Sequence, residues 1–297
     1  MDYSSSELHF FGHQTFPLRH LWLPKAAQHV ELFGELTDYD RIMEEQGVGK
    51  NMAQSMRHWA EATTIVEWDH INKKHSLSTF GKILFSEQGD RYLQYTDTIW
   101  LIHYHLVTNH RKNAVLFYLF NVFGSNTFTK ESFINRLYTW LEKIERKPLP
   151  SRNTIDRDFQ CLINMYCEKR SNKTKNIDEF IMSPLVSLQL ISFDGQEYKI
   201  RQLSSTEISR NVVNYCLLDN LNLKPENAVI PFNDLLNEEK SPGKVFNMTE
   251  NTLVSYLDYF VKDTAGSFEF ETTAGLKTLY RLKPGPKKNT FLKKAFK

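Results

Sequence analysis

The chain has 297 residues, 41% hydrophobic and 13% aromatic, enough apolar material to bury a core and too much for a disordered polymer. No run of eighteen apolar residues occurs, and MDYSSSELHFFG lacks the basic start and apolar centre of a signal peptide, so the expectation is a soluble, cytoplasmic protein with no membrane partner. The net charge of +2 is uneven: residues 1–126 carry 11 Lys/Arg against 14 Asp/Glu and residues 127–297 carry 26 against 21, a C-terminal basic bias that suits a polyanion.

The first elements cluster around DYDRIMEEQGVGKNMAQSMRHWAEAT. DYDRIMEEQ has a charged helical pattern, with Asp38 and Asp40 placed as a loop or cap. GVGK resembles part of a phosphate-binding loop, but Glu44 stands where the motif needs glycine and Asn51 where it needs a hydroxyl for magnesium. Gly47 and Gly49 read instead as a tight reversal into a second helix. Met52, Met56 and Trp59 give that helix an apolar face, and Lys50, Asn51, Gln54, Arg57 and His58 fall opposite. Lys50 and Arg57 suit a nucleic-acid backbone, and Asn51 or Gln54 suits a base edge, although a merely solvated face has the same composition. TTIVEW, a polar DHINKK turn and HSLSTFGKILF follow, with Ser78 set to cap a short helix, so the outline is helix, strand, turn, strand, as in a winged helix.

TDTIWLIHYHLV and AVLFYLFNVF are apolar on nearly all sides and predict a buried central helical layer. PLPSRNTIDRDFQCLINMYCEKR then predicts a helix with a stripe of Ile155, Phe159, Leu162, Ile163 and Tyr166. Asn153 with Asp156 resembles its capping box, and Arg152, Asn153 and Arg157 are left as DNA-binding candidates. KRSNKTKN reads as a basic loop, and SPLVSLQLISFDGQEYKI as a short helix and a hairpin turning at Asp194-Gly195. SPGKVFNMTENTLVSYLDYFVKDT predicts a third helix, striped by Leu253, Leu257, Phe260 and Val261, and SFEFETTAGLKTLYRL predicts two strands. RLKPGPKKNTFLKKAFK carries seven Lys/Arg and no acid; it reads as a basic tail, either merely solvated or meeting phosphates through Lys287 and Lys288. The expected class is α+β, mainly α, with several winged-helix-like units around a central helical layer, in domains 1–126, 127–210 and 211–297.

Cys161, Cys167 and Cys216 have no disulfide or zinc spacing and read as reduced, mostly buried thiols. All ten histidines precede residue 111, so a metal site or general base fits that part of the chain, with His9, His13 and His20 near Arg19 and His13 with Arg19 as the candidate catalytic pair; packed core histidines are the competing reading, and His103 and His105 sit in an apolar helix. No HExxH or GxSxG motif is present.

Taken in order, FFGHQTFPLRHLWLPKA, GVGKNMAQSMRHWAEAT, LSTFGKILF with DTIWLIHYHL, SRNTIDRDFQCLINMY, SPL and SPGKVF resemble the domain-of-unknown-function family 4007 of bacterial defence clusters, from about residue 9 to 290. That family includes the SspB-type subunit of single-strand DNA phosphorothioation systems. The resemblance implies a DNA-nicking subunit that enables sulfur to enter one strand; the cofactor is left open, with a divalent metal, Mg or Mn, expected if the protein nicks DNA. The implied partners are DNA, a cysteine desulfurase, a sulfurtransferase resembling phosphoadenosine phosphosulfate reductase, and an ATPase. A DNA-binding adaptor or regulator, or a protein-interaction scaffold, is the competing expectation.

Overall fold

The computed structural model describes residues 7–167, 182–222, 225, 228–273 and 275–296. KRSNKTKN lies outside them. The fold is α+β and mainly helical, in two compact units. The first comprises the described residues of 1–119 and 123–201, and the second 120–122 with the described residues of 202–297. The stretch 127–210, set apart in the sequence by its local grammar, is divided: its described residues up to 201 share the first unit with those of 1–119, and 202–210 belong to the second.

In the first unit, α1 (Trp22–Phe33) ends at Gly34, whose left-handed backbone places its N–H on Val30 O at 2.8 Å. Asp38 caps α2 (Tyr39–Gln46) by accepting the Arg41 N–H at 3.1 Å. Gly47, at φ 62°, closes α2, and the extended Gly49 opens α3 (Lys50–Ala62), so GVGK is a turn between helices. The core face of α3 is Ala53, Met56, Trp59 and Ala60; Met52 is only half-buried, and His58, expected on the polar side, is buried. An antiparallel hairpin of β1 (Val66–Asp69) and β2 (Lys74–Leu77) follows, in the register Val66 opposite Leu77 to Asp69 opposite Lys74. Ser78 caps α4 (Thr79–Leu84) through the Gly81 N–H at 3.0 Å.

Every residue of α5 (Thr96–Thr108) from Thr98 to Val107 is buried, as its uninterrupted apolar pattern requires. His103 Nδ1 meets the Tyr166 hydroxyl at 2.8 Å and His105 Nδ1 the Thr64 hydroxyl at 2.8 Å, which makes both core histidines. After α6 (Ala114–Phe117) comes one π-helical turn, Tyr118–Val122. β3 (Thr127–Phe128) then leads to α7 (Lys130–Lys143), whose Thr129 and Ser132 form a reciprocal cap. α8 (Arg152–Tyr166) is capped by Ser151, which accepts the Thr154 N–H at 3.1 Å; Asn153, the expected cap, already lies inside the helix. A 3-10 turn (Pro184–Leu188) precedes β4 (Ile191–Phe193) and β5 (Tyr198–Ile200), with Gly195 at φ 107° in the hairpin turn. The antiparallel sheet β3-β5-β4 covers a cluster of Phe123, Phe128, Phe133, Phe159 and Tyr198, with neighbouring ring centroids 5.3 to 5.8 Å apart.

The second unit contains α9 (Arg210–Leu221), β6 (Val229–Pro231), α10 (Phe232–Asn237), α11 (Pro242–Val245), α12 (Glu250–Asp263), β7 (Phe268–Thr273), β8 (Leu276–Arg281) and α13 (Asn289–Ala295). β6-β8-β7 form an antiparallel sheet, and Leu253, Leu257 and Phe260 of α12 are buried whereas Val261 is half-buried. The expected basic tail is a packed element: α13 lies on α9, with Phe291, Leu292, Ala295 and Phe296 buried. Its lysines snorkel around that apolar face. From the stretch 120–122, Asn121 Oδ1 accepts the Lys240 N–H at 2.7 Å. All three cysteines are free and buried, and burial pushes the Cys161 and Cys216 thiols up and Cys167 up to about 11, so none is a ready thiolate.

Candidate nucleic-acid interface

Gly49 brings the chain into α3 with no acidic residue in the first turn, and Lys50 and Asn51 are exposed there. Neither they nor half-buried Gln54 makes a side-chain hydrogen bond or ion pair among the described residues, so their donors face solvent. Arg57 is different. Its Nε donates to Glu61 at 2.7 Å and its second nitrogen to the Tyr39 hydroxyl at 3.1 Å. Glu61 is the hub of a buried charge cluster: its side chain is 8% exposed and accepts from Arg57, from His75 Nε2 at 3.1 Å and from Lys112. Burial alone would raise its pKa, but hydrogen bonds from His75, Lys112 and Arg57 outweigh that and hold the carboxyl well below the usual carboxylate range.

His13 lies in a small, partly open cleft lined among others by His9, Phe11, Trp59, Asn113 and Asp158. Its Nδ1 accepts the Thr15 N–H at 3.1 Å, which fixes the proton on Nε2, and Nε2 donates to Asp158 at 2.9 Å. Asp158 is buried and also accepts the Phe11 N–H at 3.1 Å on both oxygens. The His13 ring stacks on Trp59 at 5.8 Å and 8°. Beside it His58 Nε2 donates to Asn113 Oδ1 at 3.2 Å, and burial, with the adjacent His13, brings the His58 pKa down to about 3. Gly12 makes room for that ring: a Cβ there would fall 2.3 Å from His58 Nδ1. Asn113 Nδ2 is buried without a protein partner. Both nitrogens of His13 are thus committed, and Arg19 shares no bond with it; the Arg19 guanidinium lies over the Phe16 and Trp22 rings, 5.7 and 5.2 Å from their centroids.

The remaining candidates sit on other elements. Arg152 is exposed and pairs with Glu131 at 2.7 Å, Asn153 is exposed, and Arg157 extends over the Phe11 ring at 5.4 Å, at the His13 cleft. In the second unit Lys287 is exposed, and Lys288 pairs with Asp219 and lies over Tyr215.

Among the described residues no three His, Cys, Asp or Glu side chains converge on a common point. The buried carboxylates are spent on protein donors: Asp158 and Glu61 as above, and Asp90 on the Gln94 and Tyr95 N–H groups and the Thr98 hydroxyl. These residues do not form a cage for a divalent cation. Sequence reasoning missed Asp158 and Glu61, yet both carry a signal. Asp158 stands three residues after Ile155 and four before Leu162, on an apolar face where a carboxylate needs donors; Glu61 stands four after Arg57.

A search among curated proteins finds no match. Two solved structures share the fold. A magnesium ion-bound SspB crystal structure superposes with a TM-score of 0.85 at 21% identity, over 98% of this chain and 89% of that one. An SspB crystal structure does so at 0.80, again 21% identical, over 98% and 88%. The profile described as "Protein of unknown function (DUF4007)" matches residues 10–296, and the chain belongs to that family.

Proposed function

We propose that the protein is the DNA-engaging subunit of a bacterial DNA phosphorothioation system, and that it opens one strand so that sulfur can replace a non-bridging phosphate oxygen. The observation that carries the reading is the opening turn of α3, where Lys50 and Asn51 are exposed, uncommitted and free of neighbouring acids in that turn. The likeness in fold to SspB over 98% of the chain supports it. In this reading the helix and the β1–β2 hairpin act as a winged-helix-like reader, Lys50 meets backbone, and Asn51 or Gln54 meets a base edge. A cysteine desulfurase, a sulfurtransferase and an ATPase complete the system. One of the two SspB structures is magnesium ion-bound; among the described residues of this chain no three His, Cys, Asp or Glu side chains converge to hold such an ion.

The commitment of both His13 nitrogens favours a second reading, an adaptor that holds DNA for the sulfur-transfer enzymes without cutting it. Incubation with supercoiled plasmid and Mg²⁺ or Mn²⁺ separates the two. Open circles support strand opening, and unchanged plasmid at saturating protein leaves the adaptor. Binding to duplex and single-stranded DNA should weaken steeply with salt, and Lys50→Ala should reduce the log–log salt slope by about 1. No binding at low salt would overturn both.

A further inference from the structure

The tip of the β1–β2 hairpin carries two locally unfavourable choices side by side. Ile71 is 91% exposed, with nothing apolar to cover it. Lys73 adopts φ 51°, a left-handed conformation that glycine or asparagine takes with less strain. The tip is also preformed: Asp69 Oδ1 accepts the Ile71 N–H at 2.8 Å and the Asn72 N–H at 3.1 Å, and Oδ2 accepts Asn72 Nδ2 at 2.7 Å. The base of the hairpin is anchored, since the His75 N–H donates to Gly34 O at 2.8 Å. Lys73 and Lys74 are exposed and make no ion pair among the described residues. A preformed turn thus holds an isoleucine out in solvent beside two uncommitted cations, and strain kept at such a site points to function.

We propose that this tip is a DNA wedge: Ile71 enters the minor groove and partly unstacks a base step while Lys73 and Lys74 hold the flanking phosphates. One aliphatic side chain is sufficient for such an insertion, because kinking proteins place single apolar residues between steps, most easily at flexible pyrimidine–purine steps. It is too little apolar area to hold a bilayer, which disfavours a lipid surface as the occupant. The inference rests on the DNA-binding reading and adds a separate contact to it.

The test uses the full chain and short duplexes with 2-aminopurine at TA and CA steps. Binding of the unaltered protein should raise 2-aminopurine fluorescence severalfold. Ile71→Ser should abolish the rise with less than about a tenfold loss of affinity, and Ile71→Phe should retain it; the site is solvent-exposed, so the fold is not at risk. Lys73→Gly, which relieves the backbone, should still lower the salt slope by about 1. Binding without any fluorescence change, or an unchanged rise with Ile71→Ser, overturns the wedge and leaves the DNA-binding reading standing. Failure to bind at low salt overturns both. Ile71-dependent sedimentation with anionic vesicles, with no Ile71 effect on DNA, would move the tip to a lipid surface.

Discussion

Glu61→Gln tests the buried charge cluster most directly. The substitution keeps the size of the side chain and removes its charge, so Arg57, His75 and Lys112 lose their shared acceptor. Removing one partner of a buried ion pair costs about 3–5 kcal/mol. Here Lys112 is 41% exposed and Arg57 30%, so solvent screens part of the loss and the lower end, about 3 kcal/mol, applies. For a unit of this size that corresponds to a drop of about 6–12 °C in Tm, measured by circular dichroism at pH 7. The pH dependence has a defined sign. A carboxyl whose folded pKa lies below its unfolded value, about 4.3, stabilises fully above that unfolded value and progressively less as pH falls through the folded one. The gap between the original protein and Glu61→Gln should therefore be full at neutral pH and narrow below about pH 4. A gap under about 1 °C at pH 7, or one unchanged by acid, would refute the cluster as a stabilising hub.

Gly12→Ala should destabilise by about 1–3 kcal/mol in urea titration, because the new methyl meets a His58 ring held by Asn113 and by Trp59 at 4.8 Å. Ser151→Ala should cost about 1 kcal/mol through the lost cap of α8, and Asn153→Ala should stay within about 0.5 kcal/mol. Phe291→Ala should cost about 3–5 kcal/mol, since the side chain is 2% exposed, while exposed Lys293→Ala should change stability by less than about 0.5 kcal/mol.

Helices and hairpins were legible wherever period and punctuation agreed. The stripe of α8, the Asp194-Gly195 turn and the buried α5 all follow from local spacing. What escaped depends on chain separation. Nothing local links His13 to Asp158, 145 positions away, although that bond decides how the imidazole is held. The face of α3 was misjudged at His58 because a histidine counts as polar in a pattern, yet an imidazole with one amide partner buries well. The tail misled for a related reason. Its charge density outweighed two phenylalanines and a leucine whose spacing already described a helix face, and four lysines can ring an apolar stripe without exposing it. The grouping of described residues of 127–201 with those of 1–119 could not be read locally either, because it rests on bonds between residues far apart in sequence, such as His13 with Asp158 and His103 with Tyr166.

The second unit has a consequence for inheritance and dissection. Three of its residues, 120–122, are encoded eighty positions before the remainder, and one of them supplies the acceptor for the Lys240 N–H. A gene fragment starting at residue 202 would carry the sheet and its helices yet lack that insert, leaving a notch in the finished body. Shuffling at that boundary would separate a unit from one of its own parts, and proteolytic fragments should keep 120–122 with the C-terminal piece only by non-covalent retention.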